Sequence, residues 1–394
     1  MPQTDGAIVK PSPDALDVLI IGAGPVGAAL GLLLKHGNNR FALLEARDRP
    51  VTEQRSLALS YGSRLLLEEA GAWVPVFTRN AIQTIHVSHR GGFGCTCISA
   101  HDVHLPALGY VVPYALLQNE FDARLTEQNI DVRRGAGVER IEQVDEEVIV
   151  HYTHLGEARR IAAKILVLAD GGANLGKVPA IRVTEKDYRQ SALLGHVVCD
   201  RGSAQMAYER FTGRGPLALL PFDDHYSLVW IDDPACIQRL VDLDEPAFLA
   251  ELQHWFGDRA GKFLSISGRR SYPLKLRLAH PRVAGRVVVV GNAAQALHPV
   301  AGQGFNLGLR DAYDLAALLN HGVKQEAASL LQRFASQRQP DTQAGVRFTD
   351  MLVELFSNDA PHWRIPRGLG LAALDLLPFA RRRLAERMVF GASS

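Results

Sequence analysis

The chain has 394 residues, of which 47% are hydrophobic and 22% are charged, and its formal net charge is +1. This length allows one large domain or two interleaved domains, and the composition is typical of a soluble globular protein. A net charge so close to zero provides no long-range attraction for nucleic acid, so we expect no nucleic-acid partner.

The N-terminal part of the chain carries a strand–helix–strand pattern. Residues 1–16 contain several prolines and no apolar run, which predicts a flexible lead-in. An apolar strand at 17–21, a glycine turn, a helical run at 26–35 and a second strand at 41–44 follow. This β-α-β unit indicates the opening of a doubly wound sheet.

Later segments repeat this pattern, but β-like segments interrupt it. Buried strands return at 165–169 and 286–290, and the second of them leads through a glycine turn into a helix. We therefore predict a nucleotide-binding domain interleaved with a β-rich domain. The predicted ranges are 17–75, 113–180 and 281–345 for the nucleotide-binding domain, 76–112 and 181–280 for the β-rich domain, and 346–394 for a C-terminal helical segment.

Gly22, Gly24 and Gly27 form a G-x-G-x-x-G turn between the first strand and the first helix. The first two glycines allow a tight turn and a close approach to a pyrophosphate, and Gly27 allows the helix to pack against the strand. Glu45 lies 18 residues after Gly27, at the end of the second strand, where its carboxylate can accept both hydroxyls of an adenosine ribose. Together these features predict dinucleotide binding.

Two later stretches distinguish FAD from NAD. Asp170-Gly171 ends a buried strand, and the glycine-bearing stretch from Gly291 to Asn306 leads into a helix. The N-terminus of that helix would direct amides and positive dipole toward negative charge on a reduced flavin ring. Contact regions so far apart in sequence favour a long, extended ligand such as FAD.

These motifs resemble those of the class A flavoprotein aromatic hydroxylases, typified by p-hydroxybenzoate hydroxylase. The stretches Tyr208–Pro221, Arg270–Leu274 and Gly291–Gly308 are similar to the 2-polyprenyl-6-methoxyphenol hydroxylase branch of ubiquinone biosynthesis. The resemblance extends from about residue 17 to the C-terminal helices. It implies an α/β fold in which a Rossmann-like FAD-binding domain is interleaved with a β-sheet substrate domain, with helices at the C-terminus.

The resemblance also implies roles for individual residues. Glu45 becomes the ribose ligand, and Arg55 and Gln118 become contacts near the pyrophosphate and ribityl chain, with Asn119 an equally plausible occupant of the second position. Gly302, Gln303 and Gly304 are expected to line the flavin ring. The predicted FAD-binding residues are Gly22, Gly24, Gly27, Glu45, Arg55, Gln118, Asp170, Gly171, Gly291, Asn292, Gly302, Gln303, Gly304 and Asn306.

The sequence departs from the family pattern in two places. The usual Gly-Asp before Ala-Ala is Gly291-Asn292 here, which removes a carboxylate expected to bind a ribityl hydroxyl, although an amide oxygen can still accept that hydrogen bond. The Asp-Gly motif continues as Gly172-Ala173-Asn174 without the common Ser. The contacts of both motifs are therefore left open.

The resemblance implies that NAD(P)H reduces the FAD and that O₂ forms a flavin C4a-hydroperoxide, which hydroxylates the ring of a polyprenylated phenol. No second G-x-G-x-x-G lies in a strand–helix setting, so the nicotinamide is expected to bind transiently. Three alternatives remain open: a sister ubiquinone-pathway hydroxylase acting at another ring position, a non-hydroxylating FAD dehydrogenase or reductase, and a member of a biosynthetic complex without turnover.

A few residues outside the FAD motifs are candidates for further roles. His298 lies beside the expected flavin ring and has either a catalytic or a loop-fixing role, and Phe211, Leu219 and Pro221 are candidate substrate contacts. Histidine spacing in the β-rich part places partners on opposite faces, and the four cysteines are too few and irregular for a disulfide framework, so we expect no metal site and reduced thiols.

The C-terminal stretch 368–390 is apolar at first and then carries the run Arg381-Arg382-Arg383. Two interpretations stay open: a helix packed on its own protein, or a peripheral contact with anionic lipid or with proteins of a ubiquinone-biosynthesis complex. The expected location is therefore cytoplasmic, with a potential attachment to the inner face of the membrane.

Overall fold

The computed structural model describes residues 15–53, 55–203, 205–322, 327–356 and 364–391, and the predicted lead-in therefore lies almost entirely outside the described residues. Within these ranges the chain forms two large sheets, one small sheet and several helices. The strands are β1 (Leu16–Ile21), β2 (Phe41–Glu45), β3 (Ser56–Ser60), β4 (Ala81–Ile82), β5 (Thr84–His89), β6 (Cys95–Ser99), β7 (Gly109–Pro113), β8 (Val132–Arg134), β9 (Gly137–Val144), β10 (Glu147–His154), β11 (Glu157–Leu168), β12 (Arg182–Cys199), β13 (Met206–Phe211), β14 (Pro216–Phe222), β15 (His225–Asp232), β16 (Phe263–His280), β17 (Val283–Ala284), β18 (Val287–Val289) and β19 (Gln295–Ala296). The α-helices are α1 (Pro25–Leu34), α2 (Tyr61–Glu69), α3 (Tyr114–Glu127), α4 (Pro234–Asp242), α5 (Glu245–Phe256), α6 (Gln303–Gly322), α7 (Ala327–Phe356), α8 (Arg364–Leu376) and α9 (Pro378–Phe390).

The first large sheet has the order β17-β18-β11-β1-β2-β8, with β10 and β9 attached at the side of β11. Its central strands β18, β11, β1 and β2 run parallel. Val18 and Ile20 of β1 pack against helices α1, α3 and α6, whereas Leu19 and Ile21 pack against the β9–β10 hairpin on the other face. Burial on both faces explains the nearly continuous run of aliphatic residues in these strands.

The second large sheet has the order β19-β16-β12-β15-β14-β13-β5-β6. The long strands β12 and β16 pair antiparallel along most of their length. Helices α4 and α5 cover one face, where Trp230, Phe248 and Phe256 are fully buried. The other face turns toward the parallel sheet and the C-terminal helices.

A small antiparallel sheet, β3-β7-β4, lies between the two large sheets. Helix α9 packs beside it, and the side chains of Ala385 and Val389 join Ile82, Ile98 and Val111 in one apolar cluster. No helix in the described part of the chain is long and apolar enough to cross a membrane.

The predicted α/β fold is confirmed, and strands from the two β-rich ranges join in one sheet. Helix α4 was not predicted. Helix α3 begins at Tyr114, and buried Leu117 and Gln118 lie on its inner face. Helix α7 runs through the expected boundary at residue 345.

Candidate active site

The glycine turn joins three strand ends. Gly22 has a φ of +99°, and a Cβ added there would lie 2.7 Å from Cα of Asp170, so only glycine fits between β1 and the end of β11. The Gly22 amide donates to the Leu44 carbonyl oxygen at 2.8 Å, which ties the turn to β2. Gly24 caps α1 and has open space around it. The N-terminus of α1 is therefore accessible to an anionic ligand.

Glu45 lies beside this turn. Its carboxylate accepts hydrogen bonds from the backbone amides of Ala23 (2.6 Å) and Arg47 (2.8 Å). These contacts fix the carboxylate at the wall of the groove and leave lone pairs for additional donors. The position is consistent with a ligand for ribose hydroxyls.

Gln118 is fully buried on α3 and donates through Nε2 to the Ala23 carbonyl oxygen and to Asp122, both at 2.9 Å. Its Oε1 is buried without a partner among the described residues. Asn119 is exposed on the outer face of the same helix. The structure therefore places Gln118, and not Asn119, at the groove. The buried Oε1 atom of Gln118 can accept a hydrogen bond from a bound ligand.

Asp170 closes its own turn. One carboxylate oxygen accepts from the Gly172 amide (2.9 Å), and the other accepts from the Asn174 amide (2.9 Å) and side chain (2.6 Å). Asn174 thus holds the Asp-Gly motif, which lacks the common Ser, in place. Gly171 adjoins the groove with open space around its Cα.

A buried ionic network anchors the turn at Gly291. The Asp311 carboxylate, which has no exposed surface, accepts from the Gly291 amide at 3.1 Å and from Arg282 and Arg338 at 2.9 and 2.8 Å. Burial acts to raise the pKa of Asp311, but the two guanidinium groups outweigh it and hold this pKa below its usual range. Asn292 is exposed at the groove.

Residues around the start of α6 divide between two cavities. Gly304 lines the groove, Gln303 lines a neighbouring apolar cavity, and Gly302 lines both. Asn306 also faces the apolar cavity, but its side chain donates to Ala58 and Gly302 and accepts from Ser60 and Ser63. With these hydrogen bonds the Asn306 side chain fixes β3 against α6, and its predicted role as an FAD ligand stays a prediction.

The groove has a volume of about 690 Å³ and collects most of the predicted cofactor residues. Gly27 and Gly291 line neither cavity, because Gly27 packs against the Gly22 carbonyl and Gly291 against Val26. The predicted residues that line the groove are Gly22, Gly24, Glu45, Arg55, Gln118, Asp170, Gly171, Asn292, Gly302 and Gly304.

The groove fits FAD on structural grounds. A free helix N-terminus, a side-chain carboxylate, the unpartnered Gln118 acceptor and the start of the long helix α6 all line the groove. Arg55 lies at the wall with its guanidinium 4.1 Å above the Tyr114 ring. These donors and acceptors match an elongated molecule that carries a pyrophosphate, hydroxyls and a polar ring.

The apolar cavity has a volume of about 500 Å³ and lies between the second large sheet and helices α7, α8 and α9. Alternate residues of β14 face it, namely Pro216, Ala218 and Leu220, and Phe211 of β13 faces it as well. Leu219 and Pro221 point to the opposite face, where Leu219 joins the core under α4 and α5. Their predicted role as substrate contacts is therefore wrong, because neighbouring residues on β14 face the cavity instead. Phe211, in contrast, is placed at the cavity.

The two cavities adjoin. Both are lined by Ala58, Leu220, Val229, Pro299 and Gly302. A ring held at the α6 end of the groove would therefore adjoin a ligand in the apolar cavity.

His298 lines neither cavity. It is 1% exposed, accepts from the Val300 amide through Nδ1 and bonds Gln190 Oε1 through Nε2, both at 3.2 Å. Since Nδ1 accepts, Nε2 carries the proton. Burial lowers the pKa of His298 to about 4, which keeps the ring neutral. The loop-fixing interpretation thus fits the geometry, and the catalytic one does not.

Sequence reasoning missed several residues that build the site. Arg47 lines the groove and donates to Asp122 at 2.9 Å, and Asp311 anchors the Gly291 turn. Arg47 follows the predicted ribose ligand Glu45 closely in the sequence, and this proximity could have identified it as a groove residue. Asp311 gave none, because its partners Arg282, Gly291 and Arg338 lie 29, 20 and 27 residues away and no local pattern links them to it.

Comparison with known proteins agrees with this site. The family described as FAD binding domain matches residues 15–349. The ubiquinone hydroxylase UbiL of Rhodospirillum rubrum is 30% identical over 386 residues, covering 95% of this chain and 89% of that protein. The 3-demethoxyubiquinol 3-hydroxylase of Escherichia coli is 29% identical over 390 residues, covering 93% and 96%.

Solved structures show the same fold. The p-nitrophenol 4-monooxygenase of Pseudomonas putida matches with a TM-score of 0.78 at 18% identity, covering 96% of this chain and 98% of that one. Fold and groove together define an FAD-binding flavoprotein. The chain belongs to the FAD-binding monooxygenase family, and the resemblance to class A aromatic hydroxylases is confirmed.

Proposed function

We propose that this flavoprotein hydroxylates the ring of a polyprenylated phenol of the 2-polyprenyl-6-methoxyphenol type, with NAD(P)H as electron donor and O₂ as oxygen source. The observation that carries the proposal is the apolar cavity that meets the cofactor groove at Gly302. A prenyl chain needs an apolar enclosure of this kind, and the ring to be oxidised must lie where the two cavities adjoin.

The cofactor supplies electron transfer and oxygen activation when it is bound. The protein contributes position and environment. The N-terminus of α6 begins at Gln303 beside the groove, and its positive dipole would stabilise negative charge on a cofactor ring held there. Apolar walls such as Leu220 and Val229 disfavour water at the junction, as the oxygen chemistry of a bound cofactor would require.

The names of the relatives support a quinone precursor as substrate. One relative is a ubiquinone hydroxylase and the other a 3-demethoxyubiquinol 3-hydroxylase. The second name favours a sister reaction as the runner-up, in which the same pathway's ring is hydroxylated at another position. Ring position follows from how the substrate's substituents meet the cavity wall.

A coupled assay tests the proposal. Purified protein, saturated with FAD, is supplied with NADH or NADPH, O₂ and a short-chain 2-polyprenyl-6-methoxyphenol, and the products are separated by mass spectrometry. We expect NAD(P)H oxidation that depends on the phenol and a product heavier by one oxygen atom. Oxidation without oxygen transfer would identify a dehydrogenase or reductase instead, and mass spectrometry of quinone precursors in a gene deletion would identify the ring position.

We also propose that the connection between α8 and α9 contacts the membrane in which a prenylated substrate resides. Leu376, Leu377 and Phe379 are 78%, 56% and 80% exposed, while the inner residues Leu374 and Leu384 line the apolar cavity. Arg381 pairs with Asp102 and Arg382 with Glu386, so the basic run contributes less attraction to anionic lipid than the sequence predicted.

Liposome co-sedimentation tests this contact. The variant Leu376→Ser, Leu377→Ser, Phe379→Ser keeps the cavity wall intact, unlike removal of the helices. We expect it to bind vesicles of phosphatidylethanolamine and phosphatidylglycerol several-fold more weakly than the wild type, with little effect of salt. Equal sedimentation of both proteins would overturn the membrane contact.

A further inference from the structure

Glu209 places a carboxylate in the wall of the apolar cavity. It lies on β13, where Ala207, Glu209 and Phe211 alternate onto the cavity face. Its neighbours across the sheet are Val87 on β5 and Ala218 on β14, which are both apolar.

The carboxylate has no hydrogen bond or ion pair with any residue in the described part of the chain. Apart from Glu209 itself, the titratable groups among the described lining residues are Tyr208 on the same strand and Arg367 on α8. Arg210, the next residue, points away and donates to the Trp255 carbonyl oxygen at 3.2 Å. Burial raises the pKa of Glu209 to about 7, and no neighbouring cation offsets this effect.

A second polar group on the same cavity face lacks a partner. Thr96 on β6 lines the cavity and is 1% exposed, and its hydroxyl has no partner among the described residues. The pairings Thr96–Val87 and Val87–Glu209 place it two strands from the carboxylate, or about 10 Å. Unpartnered polar groups in an otherwise apolar enclosure are typical of sites that orient a ligand.

The sheet register relates Glu209 to the cofactor groove. Glu209 pairs with Ala218, and Ala218 pairs with Val229, which lines both cavities. Two strand spacings separate Glu209 from Val229, again about 10 Å. A substituted phenol ring with its hydroxyl at Glu209 would extend toward the junction.

We propose that Glu209 is a catalytic residue that binds the phenolic hydroxyl of the substrate and accepts its proton during ring hydroxylation. This inference rests on the proposed function and adds a residue to it. The phenolic O–H bond breaks and a bond from hydrogen to the carboxylate forms, so that the oxygen's electrons activate the ring carbon toward the oxygen atom derived from O₂. The carboxyl group then returns its proton to that phenolic oxygen, and the hydroxylated carbon loses its hydrogen as a proton. That proton leaves with the second oxygen atom of O₂ as water, and NAD(P)H supplies the two electrons that this reduction requires.

The environment of Glu209 suits this role. A carboxylate with its ordinary pKa near 4.3 is a weak base for a phenol whose pKa is about 10. A carboxyl pKa raised toward the operating pH lies closer to the pKa of the phenol, and the carboxyl group is still ionised above neutrality. An unpaired carboxylate in an apolar wall is unfavourable for folding, which is typical of a group retained for chemistry.

Ligand binding provides a test that does not depend on turnover. A long-chain alkylphenol, such as 3-pentadecylphenol, and its methyl ether are titrated into the FAD-loaded protein. At pH 8 we expect the wild type to bind the phenol about tenfold more tightly than the ether, because only the phenol donates to the carboxylate. This preference should fall as the pH decreases through about 7.

Two variants separate proton acceptance from hydrogen bonding. Glu209→Gln keeps an acceptor and should retain a smaller preference that does not vary with pH, whereas Glu209→Leu should lose it. Both should reduce hydroxylation by about 10² or more. Glu157→Gln, at an exposed position on β11, is the matched control and should behave as the wild type.

The outcomes distinguish this inference from the proposed function. An undiminished phenol preference in Glu209→Leu, or unchanged hydroxylation with an unchanged pH profile in either variant, would overturn the role of Glu209 alone. Wild-type protein that binds the phenol through Glu209 but forms no hydroxylated product would overturn the proposed function and the proton transfer, and would leave the binding contact.

Discussion

At the residue scale, Glu209 shows how one unpaired carboxylate in an apolar wall can indicate a site. Its neighbours in sequence, Tyr208 and Arg210, are polar too, and the segment alone does not reveal which of them faces an apolar enclosure. Only the sheet register places the carboxylate among Val87, Ala218 and Phe211. The same carboxylate also affects the stability of the folded protein.

Glu209→Gln should stabilise the protein at alkaline pH. The folded-state pKa of Glu209, about 7, exceeds the unfolded value of 4.5, so the folded protein favours the protonated carboxyl group. The contribution of this group to the free energy of unfolding is therefore fully present below about pH 4.5 and is lost as the pH rises through 7. Thermal unfolding of the two proteins should give equal stability at pH 4.5 and a gain for the variant on the order of 2 kcal/mol at pH 8. A variant less stable than the wild type at pH 8 would show that the carboxylate has a stabilising partner.

Gly24 offers a second residue-scale prediction. Its surroundings are open in the protein, so a methyl group there should affect only a ligand that approaches the α1 N-terminus. Gly24→Ala should change the unfolding free energy of the FAD-free protein by less than about 1 kcal/mol. FAD affinity, measured by fluorescence titration, should fall at least tenfold, whereas Gly176→Ala, which also adds a methyl into open space, should leave it unchanged. Unaltered FAD affinity in Gly24→Ala would contradict the placement of the pyrophosphate.

At the element scale, adjacent residues of β14 have different roles, because one packs in the protein core and the next lines the cavities. Leu219 belongs to the core under α4 and α5, whereas Leu220 lines both cavities. Leu219→Ala should lower the unfolding free energy by about 2–4 kcal/mol with little change in KM. Leu220→Ala should mainly raise the KM for a prenylated phenol, as measured by steady-state kinetics. Interchanged effects would mean that the strand faces are reversed.

The ionic network that links α6 to α7 and to the Gly291 turn allows a second prediction at this scale. Asp311 joins the Gly291 turn to Arg282 and to Arg338 of α7. Asp311→Asn would leave two buried guanidinium groups with less compensation, so we expect a loss of about 3–5 kcal/mol in denaturant unfolding. Weaker FAD binding should accompany it, since the turn that presents Asn292 loses its anchor. A loss below about 1 kcal/mol would show that the remaining carboxylates compensate.

The elements differ in how far sequence could predict them. The glycine turn and the aliphatic strands β1 and β11 are recognisable because their requirements are local: tight backbone geometry and burial on both faces. The contacts of Asn306 with β3 join residues about 250 positions apart, and no local pattern encodes them. The choice of Leu219 over Leu220 failed for the same reason, because both residues are apolar and only tertiary packing distinguishes the two faces.

At the scale of the whole molecule, the chain passes between its two large sheets several times. Ala58 of β3, Leu220 and Val229 of the neighbouring strands β14 and β15, and Pro299 and Gly302 before α6 meet at the junction of the groove and the apolar cavity. The motifs in the sequence indicated a single groove for the cofactor. The apolar cavity beside it was not visible in them, because its walls are assembled from three elements near the C-terminus and one face of a sheet.

The central claim is that the ring of a prenylated phenol is oxygenated at this junction. Its most direct test is a reaction of the FAD-loaded protein with NAD(P)H, a short-chain 2-polyprenyl-6-methoxyphenol and ¹⁸O₂, followed by mass spectrometry of the product. We expect one ¹⁸O atom in the ring of the product and none from ¹⁸O-labelled water in the converse experiment. A product without ¹⁸O, or NAD(P)H oxidation that yields only hydrogen peroxide at every phenol concentration, would contradict the claim.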